Sequence, residues 1–302
     1  MRWLFHALPS AVAREALGDE RYVAESLSRE GFVHCSFRDV LLASVQAYMA
    51  DVEVTVLQID PRRLDVPVVV VETPRGPMPH VHGTIPRDAV AATFSLAEFA
   101  RLEPSLPDRV TGTRFGFLAF EGMTLLDLVG AYDPIARIAS MGFDRSASCE
   151  IFLAEDGRGA NRAWDEGGAE LVTRRARPPL AEFDVVVVPG GPGTRTLERD
   201  PSLAAWLRSF PPNRLIASVC TGALLVGAAG RLRGKRATTH RSALERLPEY
   251  GATAVRERVV DEGQVVTAGG VTSGIDLGLA IVKRLEGQEV ADKIATQMEW
   301  QG

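Results

Sequence analysis

A set of short, almost wholly apolar runs separated by helical stretches, in the last two thirds of the chain, most constrains the fold. Arg114–Phe120, Cys149–Ala154, Phe183–Val188 and Arg214–Val219 each read as a strand. None alternates cleanly between apolar and polar residues, so both faces of each strand must be covered. Helical stretches follow at Thr124–Ala139, at Thr194–Phe210 with Asp200-Pro201 interrupting it, and at Thr221–Ala229. Continuous strands alternating with helices predict a parallel sheet between helical layers, an α/β fold. Farther on, Ala254–Val260 and Gln264–Thr267 are joined by Asp-Glu-Gly, a hairpin signal. Thr272 and Ser273 then offer N-caps for a helix to Leu285, which Gly287 ends.

The first part is less regular. Arg2–Ala7, Val52–Ile59 and Val66–Glu72 read as strands, and Ser10–Ala16 and Arg38–Met49 as helices, which predicts a smaller α+β domain. Between the parts, Glu103-Pro-Ser-Leu-Pro-Asp-Arg-Val-Thr-Gly-Thr113 has two Pro, one Gly and no apolar period, the composition of a linker. The expected domains are therefore 1–108 and 109–302. A net charge of −5 supplies no basic stripe to neutralise phosphates, so no nucleic-acid partner is expected. No apolar run nears the roughly 18 residues that span a bilayer, and no membrane partner is expected. Arg2–His6 leads into mixed polarity rather than into a signal peptide. The three Cys, Cys35, Cys149 and Cys220, are too few and scattered for a disulfide framework, which points to a reducing, cytoplasmic setting.

Chemistry concentrates at Ile216-Ala-Ser-Val-Cys-Thr-Gly-Ala-Leu-Leu225, where an apolar strand ends at Cys220 and a small-residue helix begins. Such a turn lifts a nucleophile to the top of a sheet, and a helix N-terminus lowers a thiol pKa. The alternative is a buried Cys acting as a small hydrophobe. Both readings are open on this segment alone. Val188-Pro-Gly-Gly-Pro-Gly193 ends the preceding strand, and ligands of open α/β sheets bind at such carboxyl ends. Gly190 and Gly191 would then lie beside Cys220, and the N–H groups of Gly191 and Thr221 would form a two-donor oxyanion site. A tight turn that needs Gly is the plainer account. Asp127 stands among Leu125, Leu126, Leu128 and Val129, where a carboxylate must be paired, capped or catalytic.

These residues carry a resemblance. From about Arg114 to Trp300 the sequence resembles the ThiJ/PfpI superfamily, a class I glutamine amidotransferase-like domain on a flavodoxin-like sandwich, and within it the isocyanide hydratases. The matching stretches are Gly116–Phe120, Leu126–Leu128, Val188–Gly191, Ser218–Gly222, Gly227–Gly230, Gly234–His240 and Gly269–Asp276. The resemblance implies a nucleophile at Cys220, a general acid/base at Asp127 and a supporting hydroxyl at Thr221. It implies a small-molecule substrate and hydration of an isocyanide to an N-substituted formamide through a thioimidate; no cofactor is expected, and no metal, because no acidic or Cys ligands sit at a metal spacing beside the histidines of the first part. It also implies a homodimer, with the Asp127–Ala139 helix in the interface. Val129 replaces the family's hydroxyl, Arg241 stands where an aromatic is expected, and Thr221 replaces the His of peptidase-like members. His240 is expected behind the thiol rather than on it. Rival roles for the same fold are a non-catalytic sensor like the N-terminal half of AraC-type regulators, a redox sensor, or a glyoxalase-like enzyme.

The first domain holds His6, His34, His80 and His82, four of the five His. His80-Val-His82 puts two imidazoles on one strand face. This part resembles a small bacterial domain of unknown function whose fold is similar to that of ADP-ribosyltransferases. His6, His34, Ser36 and His80 match its recurring positions, which implies a cleft for a nucleotide-like or polar ligand. Satisfied structural histidines are the equal alternative.

Overall fold

The chain divides into two units, Met1–Val110 and Thr111–Gly302, in a computed structural model that describes residues 1–16, 18–155 and 161–302. The first unit runs β1 (Leu4–Pro9), α1 (Ser10–Ala16), α2 (Glu25–Glu30), β2 (Val33–His34), α3 (Arg38–Tyr48), β3 (Val54–Ile59), β4 (Val68–Thr73), β5 (Gly76–Val81), β6 (Val90–Ser95) and α4 (Leu96–Leu102). Two three-stranded antiparallel sheets form, in the orders β1-β3-β6 and β2-β5-β4, beside a two-stranded pairing of Arg21–Tyr22 with Ile85–Pro86. β3 is buried on both faces. Leu57 and Ile59 join one apolar cluster with Leu4, Leu8 and Val81, while Val54 and Val56 join another with Phe5, Leu41 and Phe99. This two-sided burial is why the alternation of Val52-Glu-Val-Thr-Val56 changes phase at Leu57. A capping box starts α4: Ser95 Oγ accepts from Glu98 N at 3.3 Å, and Glu98 reaches back to the Ser95 N–H.

The second unit runs β7 (Arg114–Ala119), α5 (Leu125–Ser140), β8 (Ser148–Leu153), β9 (Val185–Val188), α6 (Pro201–Arg208), β10 (Leu215–Val219), α7 (Gly222–Ala228), β11 (Val259–Asp261), β12 (Val265–Ala268), α8 (Ser273–Glu286) and α9 (Gln288–Gln297). One six-stranded sheet has the order β8-β7-β9-β10-β12-β11, parallel throughout except for the β11/β12 hairpin. This is the α/β fold that the apolar runs predict. All four Val of β9 are at most 1% exposed, and burying each is worth roughly 1.5–3 kcal/mol. Asp200 caps α6 by accepting from Ser202 N at 2.8 Å, and Pro201 fills the first helical position, so the expected helical interruption is a helix start.

Helices α5 and α8 cross closely. A Cβ on Gly278 would lie 2.8 Å from Ala131 O, so this crossing tolerates no side chain there. The contact holds the start of α5, with Asp127, against the loop that enters α8.

Two expectations need correction. Ala254–Val260 is not one strand: Thr253–Ala254 pairs with Arg236–Ala237, and only Val259–Asp261 joins the large sheet. The exposed Arg256-Glu257-Arg258 stretch separates them, because three charged side chains resist burial in a sheet. Thr272 occupies the N-cap position of α8, but its side chain makes no capping bond. Tight backbone bonds Gly274 N to Val271 O and Ile275 N to Thr272 O close that turn instead. Gly287 ends α8 as expected, yet α9 restarts at the next residue.

Candidate active site

β9 and β10 are parallel neighbours with Val188 opposite Ser218, so the residues after both strands emerge side by side at their carboxyl ends. Cys220 follows β10 directly and has φ +55°. A non-glycine residue in that left-handed region costs on the order of 1–3 kcal/mol unless its surroundings enforce it. They do: Cys220 N donates to Gly269 O at 2.7 Å, and Cys220 O accepts from Thr239 Oγ1 at 2.7 Å. The sulfur is thus fixed at a sharp turn between β10 and α7, with the residue only 6% exposed.

Asp127 is the third residue of α5 and has no exposure to solvent. Its Oδ2 accepts from Gly190 N at 2.9 Å, and the Cys220 thiol donates to the same carboxylate. Oδ1 is buried without a hydrogen-bond partner. Burial pushes the Asp127 carboxyl up to about 7; the Gly190 N–H and the thiol oppose the rise, and the nearby Glu166 charge adds to it. Burial first, and the Asp127 charge second, push the Cys220 thiol up to about 11, against the backbone N–H groups of Thr221 and Val271 that face the sulfur. The lowering expected from a helix N-terminus is therefore overturned. Desolvation and a neighbouring carboxylate outweigh the two amides. The carboxylate holds the thiol back from ionising while the thiol's hydrogen bond favours the ionised carboxylate, so the proton between them belongs to sulfur.

The expected oxyanion pair is also rearranged. Gly191 N donates to Thr221 Oγ1 at 3.0 Å and Gly190 N is committed to Asp127. The amides that flank the sulfur are those of Thr221 and Val271. The Thr221 hydroxyl sits 3.0 Å from Thr194 Oγ1, so it braces the Gly190-Gly191 turn against α7. Gly190 is where three groups converge: a Cβ there would lie 2.5 Å from Thr221 N, 2.7 Å from Thr221 Oγ1 and 2.9 Å from Asp127 Oδ2. His240 lies behind this arrangement. Its Nδ1 accepts from Ser242 N, and its ring packs on Gly270, the neighbour of Val271.

Four contributors escaped the sequence reading. Thr239 and Val271 belong to the Gly234–His240 and Gly269–Asp276 stretches, whose spacing shows without revealing which atom does what. Thr194 begins a short helical turn, and its hydroxyl also donates to Gly191 O at 2.7 Å. Glu166 lies between the paired strands Arg162–Trp164 and Glu170–Val172, and accepts from Thr124 Oγ1 at 2.8 Å. No local pattern marks it.

The residues matched in the first domain part company. His34, Ser36 and His80 line a cavity of about 740 Å³ within the first unit. His6 also borders it, but both ring nitrogens are engaged: Nδ1 is 2.6 Å from His34 O and Nε2 is 2.8 Å from Tyr22 Oη. A carbonyl only accepts, so Nδ1 carries the proton and Nε2 accepts from the Tyr22 hydroxyl. Burial drives His6 down to about 4. His6 is thus held as a neutral clamp at the edge of the cavity. Among the described residues, no group of three His, Cys, Asp or Glu is placed to hold a metal ion, and no helix is long and apolar enough to cross a membrane.

Residues 116–284 match the DJ-1/PfpI family, and residues 7–93 match a family described as a protein of unknown function (DUF952). Isonitrile hydratase of Pseudomonas putida is 35% identical over 188 residues, covering 62% of this chain and 78% of that protein. Protein DJ-1 homolog A of Arabidopsis thaliana is 37% identical over 185 residues, covering 59% of this chain and 46% of that protein, so this chain spans under half of that relative. Among solved structures, a ThiJ/PfpI family protein from Pseudomonas syringae superposes with a TM-score of 0.56 at 28% identity, covering 64% of this chain and 77% of that one. With the elbow cysteine, its carboxylate partner and the six-stranded sheet in place, these matches establish that the chain belongs to the DJ-1/PfpI family.

Proposed function

We propose that the second unit hydrates isocyanides to N-substituted formamides by covalent catalysis at Cys220. The observation that carries the reading is the solvent-shielded thiol–carboxylate pair, Cys220 with Asp127, at a strained strand-to-helix turn. As Cys220 Sγ attacks the terminal carbon of R–N≡C, Asp127 takes the thiol proton. It then delivers that proton to the same carbon, giving the thioimidate R–N=CH–S. Water adds to the imidate carbon as Asp127 accepts its proton. Asp127 returns that proton to nitrogen, then takes the hydroxyl proton of the tetrahedral adduct as the C–S bond breaks and passes it to the departing sulfur, which releases R–NH–CHO and restores the thiol–carboxylate pair. Burial, with a smaller contribution from the Glu166 charge, raises Asp127 to about 7, where it both takes and gives protons. The Thr221 and Val271 amides stabilise negative charge on sulfur when it leaves. A thiol held protonated until attack is a poor peroxide sensor, because oxidation follows thiolate character. That favours hydration over a redox-sensing role. Leu126 and Val129, exposed on α5, supply the apolar surface that a homodimer would cover.

The direct test is formamide formation by the purified chain from several alkyl isocyanides, followed by NMR. Absence of product from all of them would refute the hydratase reading. The pH profile tests the proton path. Asp127 must be ionised to accept the thiol proton, and its pKa is raised to about 7. Log kcat/KM should therefore fall with unit slope as pH drops below about 7 and level off above it. A flat profile from pH 5.5 to 8 would remove Asp127 as the base. Gly190→Ala should lower kcat/KM by at least a hundredfold, since its methyl displaces Thr221 or Asp127; wild-type kinetics would contradict the geometry.

A further inference from the structure

We propose that a second pocket of the second unit, beside the Cys220 elbow, binds a compact oxyanion carrying two negative charges. The pocket encloses about 570 Å³ between residues 238–244, the Arg256-Glu257-Arg258 run and residues 269–273, which lead into α8. Neither Cys220 nor Asp127 lines it, so an occupant is bound there rather than turned over. The pocket nonetheless rests on the groups that hold the elbow: Thr239 Oγ1 donates to Cys220 O, and Gly269 O accepts from Cys220 N. Two hydroxyls in its wall have nothing to bond. Ser273 and Thr238 are only 3% and 2% exposed. Thr238 N donates to Thr267 Oγ1, yet the Thr238 and Ser273 hydroxyls themselves make no hydrogen bond among the described residues. A buried hydroxyl without a partner is costly, and both of these line the pocket, where an incoming acceptor would satisfy them.

Charge around the pocket selects an anion. Arg241, Arg256 and Arg258 all line it. Arg258 is engaged by Asp276 and Thr272 Oγ1, and Glu257, the one acid of the lining, pairs with Arg236. Arg241 and Arg256 are exposed and make no hydrogen bond or ion pair among the described residues. Two positive charges are therefore left without a counter-charge, and each guanidinium presents a planar fork of N–H donors. The N-terminus of α8 adds the positive end of its dipole. Its first amides, Ser273 N, Gly274 N and Ile275 N, already donate to Gly270 O, Val271 O and Thr272 O, so side chains must supply the donors. Two forks and two hydroxyls match the oxygens of a phosphate or of a small dicarboxylate. A monoanion would leave one guanidinium unmatched.

Calorimetry on the full chain at pH 8 and constant ionic strength tests this, with inorganic phosphate and malonate as probes and acetate as the monoanionic control. One site per chain is expected for at least one dianion, about tenfold tighter than acetate. Whichever dianion binds tighter tells a phosphoryl ligand from a dicarboxylate. Arg241→Ala and Arg256→Ala, at exposed positions with no bond to lose, should each weaken that dianion about tenfold, and Ser273→Ala about fivefold. Arg101→Ala, which removes an exposed charge from the first unit, should leave binding unchanged, as should Cys220→Ala. The proposal is overturned by the absence of saturable binding of either dianion up to millimolar concentration, or by acetate binding as tightly. Binding that survives both second-unit Arg substitutions, or that is lost with Cys220, overturns it equally. None of these outcomes depends on isocyanide turnover.

Discussion

Replacing Cys220 by Ala should abolish formamide production while leaving the protein folded. The covalent route needs a sulfur to form the thioimidate, and no neighbouring group takes its place: Asp127 is shielded behind the thiol and the Thr221 hydroxyl is held against Thr194 and Gly191. The backbone has no reason to change. Alanine carries the same Cβ as cysteine, so the φ of +55° is no worse than before, and the bonds to Gly269 O and from Thr239 Oγ1 do not involve the sulfur. Loss of one buried sulfur and its hydrogen bond should cost on the order of 1–2 kcal/mol. Product formation and a thermal melt check this together. Residual turnover above about a thousandth of the native rate would exclude Cys220 as the nucleophile.

Asp127→Asn should separate three quantities that usually move together. Turnover should fall by about 10²- to 10⁴-fold, the range expected when a general acid/base is removed. Alkylation of Cys220 at pH 8 should nonetheless become faster, because the Asp127 charge that helps to hold the thiol near 11 is gone. Stability should rise. The carboxyl titrates at about 7 in the folded chain against an ordinary value of 3.8, so the folded state holds its proton more tightly and ionisation opposes folding. The sign follows from linkage: the penalty is absent below about pH 4, grows between pH 4 and 7, and is complete above. At about 1.4 kcal/mol per pKa unit it amounts to a few kcal/mol at pH 8. The melting temperature of Asp127→Asn should thus exceed the native value at pH 8 and match it near pH 4. Slower alkylation with slower turnover would mean a collapsed site rather than a lost base.

Much of this site is visible in the chain before it folds. Cys220 stands where an apolar run meets a small-residue helix, and Asp127 is the one charge within Leu125–Val129. Both are anomalies against a local pattern, and local patterns are what a sequence displays. The hydrogen-bond assignments are not of that kind. Whether Gly191 N–H faces a substrate or the Thr221 hydroxyl depends on the offset between two strand ends, which Val188 opposite Ser218 sets. Glu166 arrives from the pair of strands beyond Asn161 and has no marker at all. In the first unit, His6, His34 and His80 look alike in the sequence. The fold puts all three on the cavity wall but locks the first into a neutral clamp by engaging both of its ring nitrogens.

Sequence alone determined the layered α/β unit, the smaller α+β unit and the placing of a cysteine at the end of β10, because burial periodicity and turn chemistry act over a few residues. The tertiary structure decided the sign of the thiol's pKa shift. A helix N-terminus and two amides favour the thiolate locally, but closure of α5 and α8 over the sheet brings Asp127 to the sulfur and excludes water from both. Desolvation and like charge are properties of that assembled space, and there they outweigh the local terms.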